Sequence, residues 1–219
     1  MGMEQVLELL RIFFGYTTFR PGQAVIIRNI MEGRDTVGIL PTGGGKSICY
    51  QIPALLSPGL VLVISPLISL MKDQVDALNS QGIAATYLNS SLAYETMTQR
   101  MRDAKKGLYK LIYIAPERLE GDFFKAFVRD LPVFLIAVDE AHCVSQWGHD
   151  FRPSYLAIAD CIEGFNKRPP VAAFTATATT EVTQDIVQQL KLQNPLVHVS
   201  GFDRPNLFFS VLRLSLIHI

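Results

Sequence analysis

The stretch "DTVGILPTGGGKSICY", Asp35 to Tyr50, decides the fold. A short apolar run leads into three consecutive glycines, then Lys46, Ser47 and a segment that can continue as a helix. A glycine-rich turn entering a helix gathers backbone N–H groups and the helix N-terminus onto one point, an arrangement suited to a polyphosphate. In such a loop Thr42, Gly43, Gly44 and Gly45 form the cradle, Lys46 reaches the β- and γ-phosphates, and the Ser47 hydroxyl ligates Mg²⁺. The strict spacing asks for a glycine where Leu40 stands, so the pattern is a relaxed phosphate loop. The bland alternative is an ordinary Gly-rich turn between a strand and a helix.

Working outward, similar apolar runs recur at 35–40, 60–65, 110–115, 133–139, 171–177 and 196–200. They are too short for helices and apolar on both faces, as buried parallel strands are. Amphipathic segments such as "PLISLMKDQVDALNSQG" and "TTEVTQDIVQQLKL" lie between them. Strand and helix in alternation predict an α/β fold of three layers, a mostly parallel central sheet with helices on both faces. Ligands of such sheets bind at the carboxyl ends of the strands.

Composition narrows the classes. In 219 residues, 49% are hydrophobic and 18% charged, which favours a single packed domain over disorder. Twenty basic residues balance twenty acidic ones, so any nucleic-acid contact must be local. Three cysteines without paired spacing predict neither a disulfide framework nor a zinc knuckle. With no leader and no run of membrane-spanning length, the expected location is cytoplasmic, nucleoid-associated if bacterial, with no membrane partner.

A phosphate loop predicts a second element, a buried strand ending in a carboxylate that holds the metal. "VFLIAVDE" supplies it: Asp139 is placed to bind Mg²⁺ and Glu140 to orient and deprotonate the water that attacks the γ-phosphate. The competing reading is an acidic pair that caps the next turn.

Taken in order, "FGYTTFRPGQ", "PTGGGKS", "SPLISLMKDQV", "LNSS", "YIAPERL", "VDEAHCVSQWGHDFRPSY", "TATAT" and "FDRPN" resemble the motifs of the RecQ-type DNA helicases of superfamily 2, from about Phe14 to Asn206. The resemblance implies a first RecA-like motor domain over 1–211, whose helical segment 1–32 carries the adenine-recognition motif. Tyr16 would then pack on the base, Arg20 lie near it, and Gln23 bond its edge. It implies ATP and Mg²⁺ as cofactors, with Lys46, Asp139, Glu140 and His142 in the catalytic set and His142 as a hydrogen-bond relay.

The same resemblance implies single-stranded and partly duplex DNA as the partner, 3′-to-5′ movement and a role in recombination and repair. Ser65, the helix N-terminus after it and Lys72 would contact the DNA backbone. In the aromatic-rich loop, Trp147 and Phe151 offer faces for unpaired bases, Arg152 pairs with phosphate or the nucleotide site, and His149 lies among them. Thr175 and Thr177 belong to the motif that links ATP state to DNA contact. A zinc reading of His142, Cys143 and His149 competes, but its spacing matches no common site and it lacks a fourth ligand.

Residues 212–219, "RLSLIHI" with the leucine before it, depart from the family pattern and are expected to mark a truncation point. The family's second RecA-like domain, zinc-binding region and winged helix lie beyond this sequence, so a fragment that binds ATP and single-stranded DNA with little unwinding is expected. Two readings from other classes remain at this stage: a stand-alone ATP-binding regulatory module, and a small-molecule phosphotransferase, which would want an Arg-rich lid.

Overall fold

The computed structural model describes residues 2–148, 150–201 and 210. Seven strands form one sheet in the order β3-β4-β2-β5-β6-β1-β7, and every described pairing is parallel. They are β1 (Thr36–Ile39), β2 (Leu60–Ile64), β3 (Ala85–Leu88), β4 (Leu111–Ile114), β5 (Val133–Val138), β6 (Val171–Thr175) and β7 (Leu196–Val199). Six match the expected runs; β3, "ATYL", was not expected. It is a four-residue edge strand with only one β-branched residue, too weak a local signal to separate from the loop around it.

Among the described residues eight α-helices accompany the strands: α1 (Met3–Phe14), α2 (Gln23–Met31), α3 (Ile48–Leu56), α4 (Ile68–Ser80), α5 (Tyr94–Lys105), α6 (Asp122–Arg129), α7 (Ala157–Glu163) and α8 (Thr180–Gln189). Successive strand residues point to opposite faces, so the sheet makes two cores. Leu62, Ile64, Ile136 and Val138 pack against α5 to α8, while Val61, Val63, Leu135 and Ala137 pack against α2 to α4. Helix α1 adds to the second side by burying Val6 and Leu10 against Ile27, Ile48 and Ile52.

Only β7 alternates between half-buried and exposed residues, as an edge strand does. Below β1, the buried Asp35 carboxylate accepts both Arg168 nitrogens, at 2.7 and 3.0 Å, and the N–H groups of Val171 and Gln193. One carboxylate thereby ties the amino end of β1 to β6 and to the approach to β7. No described helix is long and apolar enough to cross a membrane.

Candidate nucleotide and nucleic-acid site

The carboxyl ends of the strands carry the site. Gly43 and Gly45 both sit at φ 77°, where a side chain is strained. A Cβ on Gly44 would lie 2.7 Å from the Pro41 carbonyl oxygen, so the bend between them tolerates none either. Helix α3 starts immediately behind, and the loop opens into a cleft of about 480 Å³. Thr42, Lys46, Ser47, Tyr16, Arg20, Gln23, Asp139 and Glu140 all line it.

Strand topology gathers these groups. The loop follows β1, the carboxylates follow β5, and β6, which ends in Thr175, lies between those two strands. Glu140 takes a left-handed backbone, φ 47° and ψ 45°, a conformation costly for a non-glycine residue and common where a site dictates it. Its carboxylate lies 3.8 Å from Lys46 Nζ and 3.3 Å from His142 Nδ1.

His142 Nδ1 also lies 2.8 Å from Thr175 Oγ1. Because the Thr175 hydroxyl donates its one proton to the Thr177 carbonyl, at 3.0 Å, it must accept from the imidazole. That assigns the proton of neutral His142 to Nδ1 and gives the expected relay a direction. The exposed Thr177 side chain is not part of this chain of bonds.

Asp139 is 9% exposed, and Tyr155 O–H, a group with no signal in the sequence, donates to its carbonyl at 2.9 Å. Burial first and the Glu140 charge second push the Asp139 carboxyl from 3.8 up to about 6, against the pull of Lys46. A carboxylate this costly to charge is one that a cation would stabilise.

Gln23, the residue expected at the base edge, is bonded within the chain itself. Its amide N–H groups donate to the carbonyls of Gly45 and Gly44, at 3.0 and 3.4 Å, and its oxygen accepts the Arg20 N–H at 2.8 Å. Tyr16, 53% exposed, stands at the cleft mouth. The far wall of the cleft comes from α4, through Leu70 and Gln74, and from Gln81 at its C-terminal end.

The second surface lies beside the first. Trp147 is 81% exposed and shares a shallow groove of about 410 Å³ with His142, Thr177, Thr179 and Val182. Phe151 is half-buried. Arg152 reaches Asp150 at 2.9 Å and the Pro66 carbonyl at 3.4 Å, linking this loop to the segment after β2. Lys72 is exposed on α4. Ser65, expected to donate to DNA phosphate, is 2% exposed, and its buried hydroxyl has no partner among the described residues. The His149 assignment and "FDRPN" lie outside the described residues, as does the 212–219 tail.

Comparisons with known proteins give the family. The model of the DEAD/DEAH box helicase family matches residues 20–186. The ATP-dependent DNA helicase RecQ of Bacillus subtilis is 50% identical over 212 residues, covering 96% of this chain and 36% of that protein. Its counterpart in Pasteurella multocida is 46% identical over 208 residues, covering 95% and 33%. A hypothetical ATP-dependent RNA helicase from Sulfolobus tokodaii superposes with a TM-score of 0.67 at 19% identity, over 90% of this chain and 57% of that one, a likeness of fold. This chain therefore spans about a third of the length of the RecQ proteins it matches. With that model matching most of its length, the chain belongs to the DEAD/DEAH box helicase family and has the RecQ helicases among its relatives.

Proposed function

We propose that this chain is the ATP-hydrolysing motor domain of a RecQ-type DNA helicase, working on single-stranded and partly duplex DNA once joined to a second RecA-like domain. The observation that carries the reading is Glu140, held between Lys46 and His142 in the cleft of the phosphate loop. The triphosphate sits in the Gly43–Gly45 cradle, where a Cβ at either Gly44 or Gly45 would collide with the surrounding chain. Ser47 and Asp139 would hold Mg²⁺, whose chemistry is to neutralise charge on the phosphates. Lys46 binds phosphate oxygen, and Glu140 takes a proton from the attacking water.

His142 orients Glu140 through Nδ1–H and hands its position on to Thr175. The DEAH turn continues directly into the Trp147 loop, so a base stacked on Trp147 can shift His142 and with it Glu140. Tyr16 and Arg20 receive the adenine, and Gln23 reaches its edge after leaving the Gly45 carbonyl. The N-terminus of α4, Lys72 and Arg152 serve the DNA backbone.

Steady-state ATP hydrolysis tests the reading, with and without single-stranded DNA, for the chain alone and for the chain joined to a RecQ second motor domain. DNA-stimulated turnover is expected in the joined form only, and Glu140→Gln should abolish it while ATP binding remains. Binding without turnover in both forms would point instead to an ATP-binding regulatory module.

A further inference from the structure

The DEAH turn and the Trp147 loop bring three different ligating side chains to one point. His142, Cys143 and Asp150 each offer a ligand atom, and these atoms all lie within 4.8 Å of one another. Cys143 Sγ is 3.8 Å from His142 Nε2 and 3.7 Å from Asp150 Oδ2. Around a tetrahedral zinc ion, bond lengths of about 2.3 Å to sulfur and about 2.0 to 2.1 Å to nitrogen or oxygen separate neighbouring donors by roughly 3.5 Å. Shifts of a few tenths of an ångström would bring the two measured separations to that value.

The surroundings are those of a metal-ligating histidine. A metal-bound imidazole characteristically donates its other ring N–H to a carboxylate or similar acceptor, which fixes tautomer and orientation. His142 already does so: Nδ1 carries the proton, with Thr175 Oγ1 at 2.8 Å and Glu140 Oε2 at 3.3 Å, and Nε2 is directed at the thiol. The loop is also built to close. The Arg152 N–H donates to the Cys143 carbonyl at 2.9 Å, and a Cβ on Gly148 would lie 2.6 Å from the His142 carbonyl oxygen, so the chain returns Asp150 to the buried cysteine. Arg152 donates to Asp150 Oδ2 from both Nη2, at 2.9 Å, and Nε, at 3.2 Å, so the other carboxylate oxygen is the one that keeps its lone pairs for a metal.

We infer that His142, Cys143 and Asp150 form a binding site for a soft divalent transition metal, zinc foremost, these three being its ligands among the described residues. Thiolate and imidazole select such ions over Mg²⁺, so the site is chemically distinct from the Ser47 and Asp139 pair. On binding, a metal–sulfur bond forms, and the Cys143 thiol proton passes to solvent. The ion pins the Trp147 loop to the DEAH turn. The consequence, that zinc would uncouple DNA contact from hydrolysis, rests on the function proposed above; the binding itself does not.

Cobalt(II) is the probe, titrated into the chain in excess Mg²⁺ without ATP or DNA. One equivalent is expected to give a thiolate-to-cobalt charge-transfer band in the near ultraviolet, to shift the fluorescence of Trp147, the only tryptophan, and to be displaced by zinc. Cys143→Ala should remove the band, and Asp150→Asn, a change at an exposed position that leaves the core untouched, should weaken binding at least tenfold. No band at stoichiometric cobalt, a band that survives Cys143→Ala, or unchanged affinity in Asp150→Asn would each overturn the inference. Because nothing in the spectrum depends on nucleotide, such a failure would leave the hydrolytic reading of Glu140 standing, and the converse also holds.

Discussion

The side-chain amide of Gln23 spans two segments, donating to the Gly45 carbonyl at 3.0 Å while its oxygen accepts the Arg20 N–H at 2.8 Å. A Cβ on Gly45 would lie 2.3 Å from that amide nitrogen, so phosphate loop and base-recognition turn meet without room to spare. The turn at Arg20 and the glycine-rich loop are therefore held to each other, and under the proposed function Gln23 would exchange the Gly45 carbonyl for a base edge.

Gln23→Ala should cost stability and selectivity separately. Loss of the three partly buried hydrogen bonds of its amide is expected to lower unfolding free energy by about 1–2 kcal/mol in urea titration. Binding of ATP should weaken roughly tenfold relative to inorganic triphosphate, since only the base contact is lost. Equal weakening of both ligands would mean that Gln23 acts on the cradle alone.

Asp139 makes the metal-free chain sensitive to pH with a defined sign. Its carboxyl titrates near 6 when folded, against 3.8 ordinarily, so between these values the folded state holds the extra proton. Stability from this group is therefore lost as pH rises through about 6, and the penalty is absent below about 4. Asp139→Asn should be more stable than the parent at pH 8 by on the order of 2 kcal/mol, with the difference vanishing toward pH 4 in paired urea titrations. A difference that does not change with pH would refute the assignment.

Gly38 is needed for space. A Cβ there would lie 2.9 Å from Phe174 Cδ1 and 3.1 Å from Leu40 Cδ1, inside the core between β1 and β6. Gly38→Ala should destabilise by about 1–3 kcal/mol through overpacking. Adding Phe174→Leu should recover part of that loss, so that a double-mutant cycle shows favourable coupling. Additive costs would mean that the strands separate instead.

Trp147, 81% exposed, contributes little to the fold. Trp147→Ala should change stability by less than about 0.5 kcal/mol. If unpaired bases stack on it, single-stranded DNA binding measured by anisotropy should weaken roughly 5- to 150-fold, the equivalent of about 1–3 kcal/mol per base. Unchanged DNA affinity would remove Trp147 from the interface.

Much of the fold was legible because its signals are local. Each of the six expected strands is a short apolar run with its own bounds, whereas β3 depends on pairing with β4 and carries little pattern of its own. The glycine turn after β1 was legible for a similar reason, since positive φ at Gly43 and Gly45 demands glycine in place. For Ser65, a residue just past a strand carries no mark in the sequence of which way its side chain turns; here it is buried.

What the amino-acid sequence determined by itself is the set of groups: a glycine-rich loop with Lys46 and Ser47, the Asp139 and Glu140 pair, and a Trp147 loop directly behind them. Only the tertiary structure decided their relations. Strand order puts β6 between β1 and β5, so Thr175 meets His142 across 33 residues of sequence and aligns it with Glu140. The same closure returns Asp150 to Cys143 and lets Tyr155 hold the Asp139 carbonyl. Local pattern reports which conformation a segment prefers, but contacts between distant segments are chosen by the packing of the sheet and the burial of its two faces.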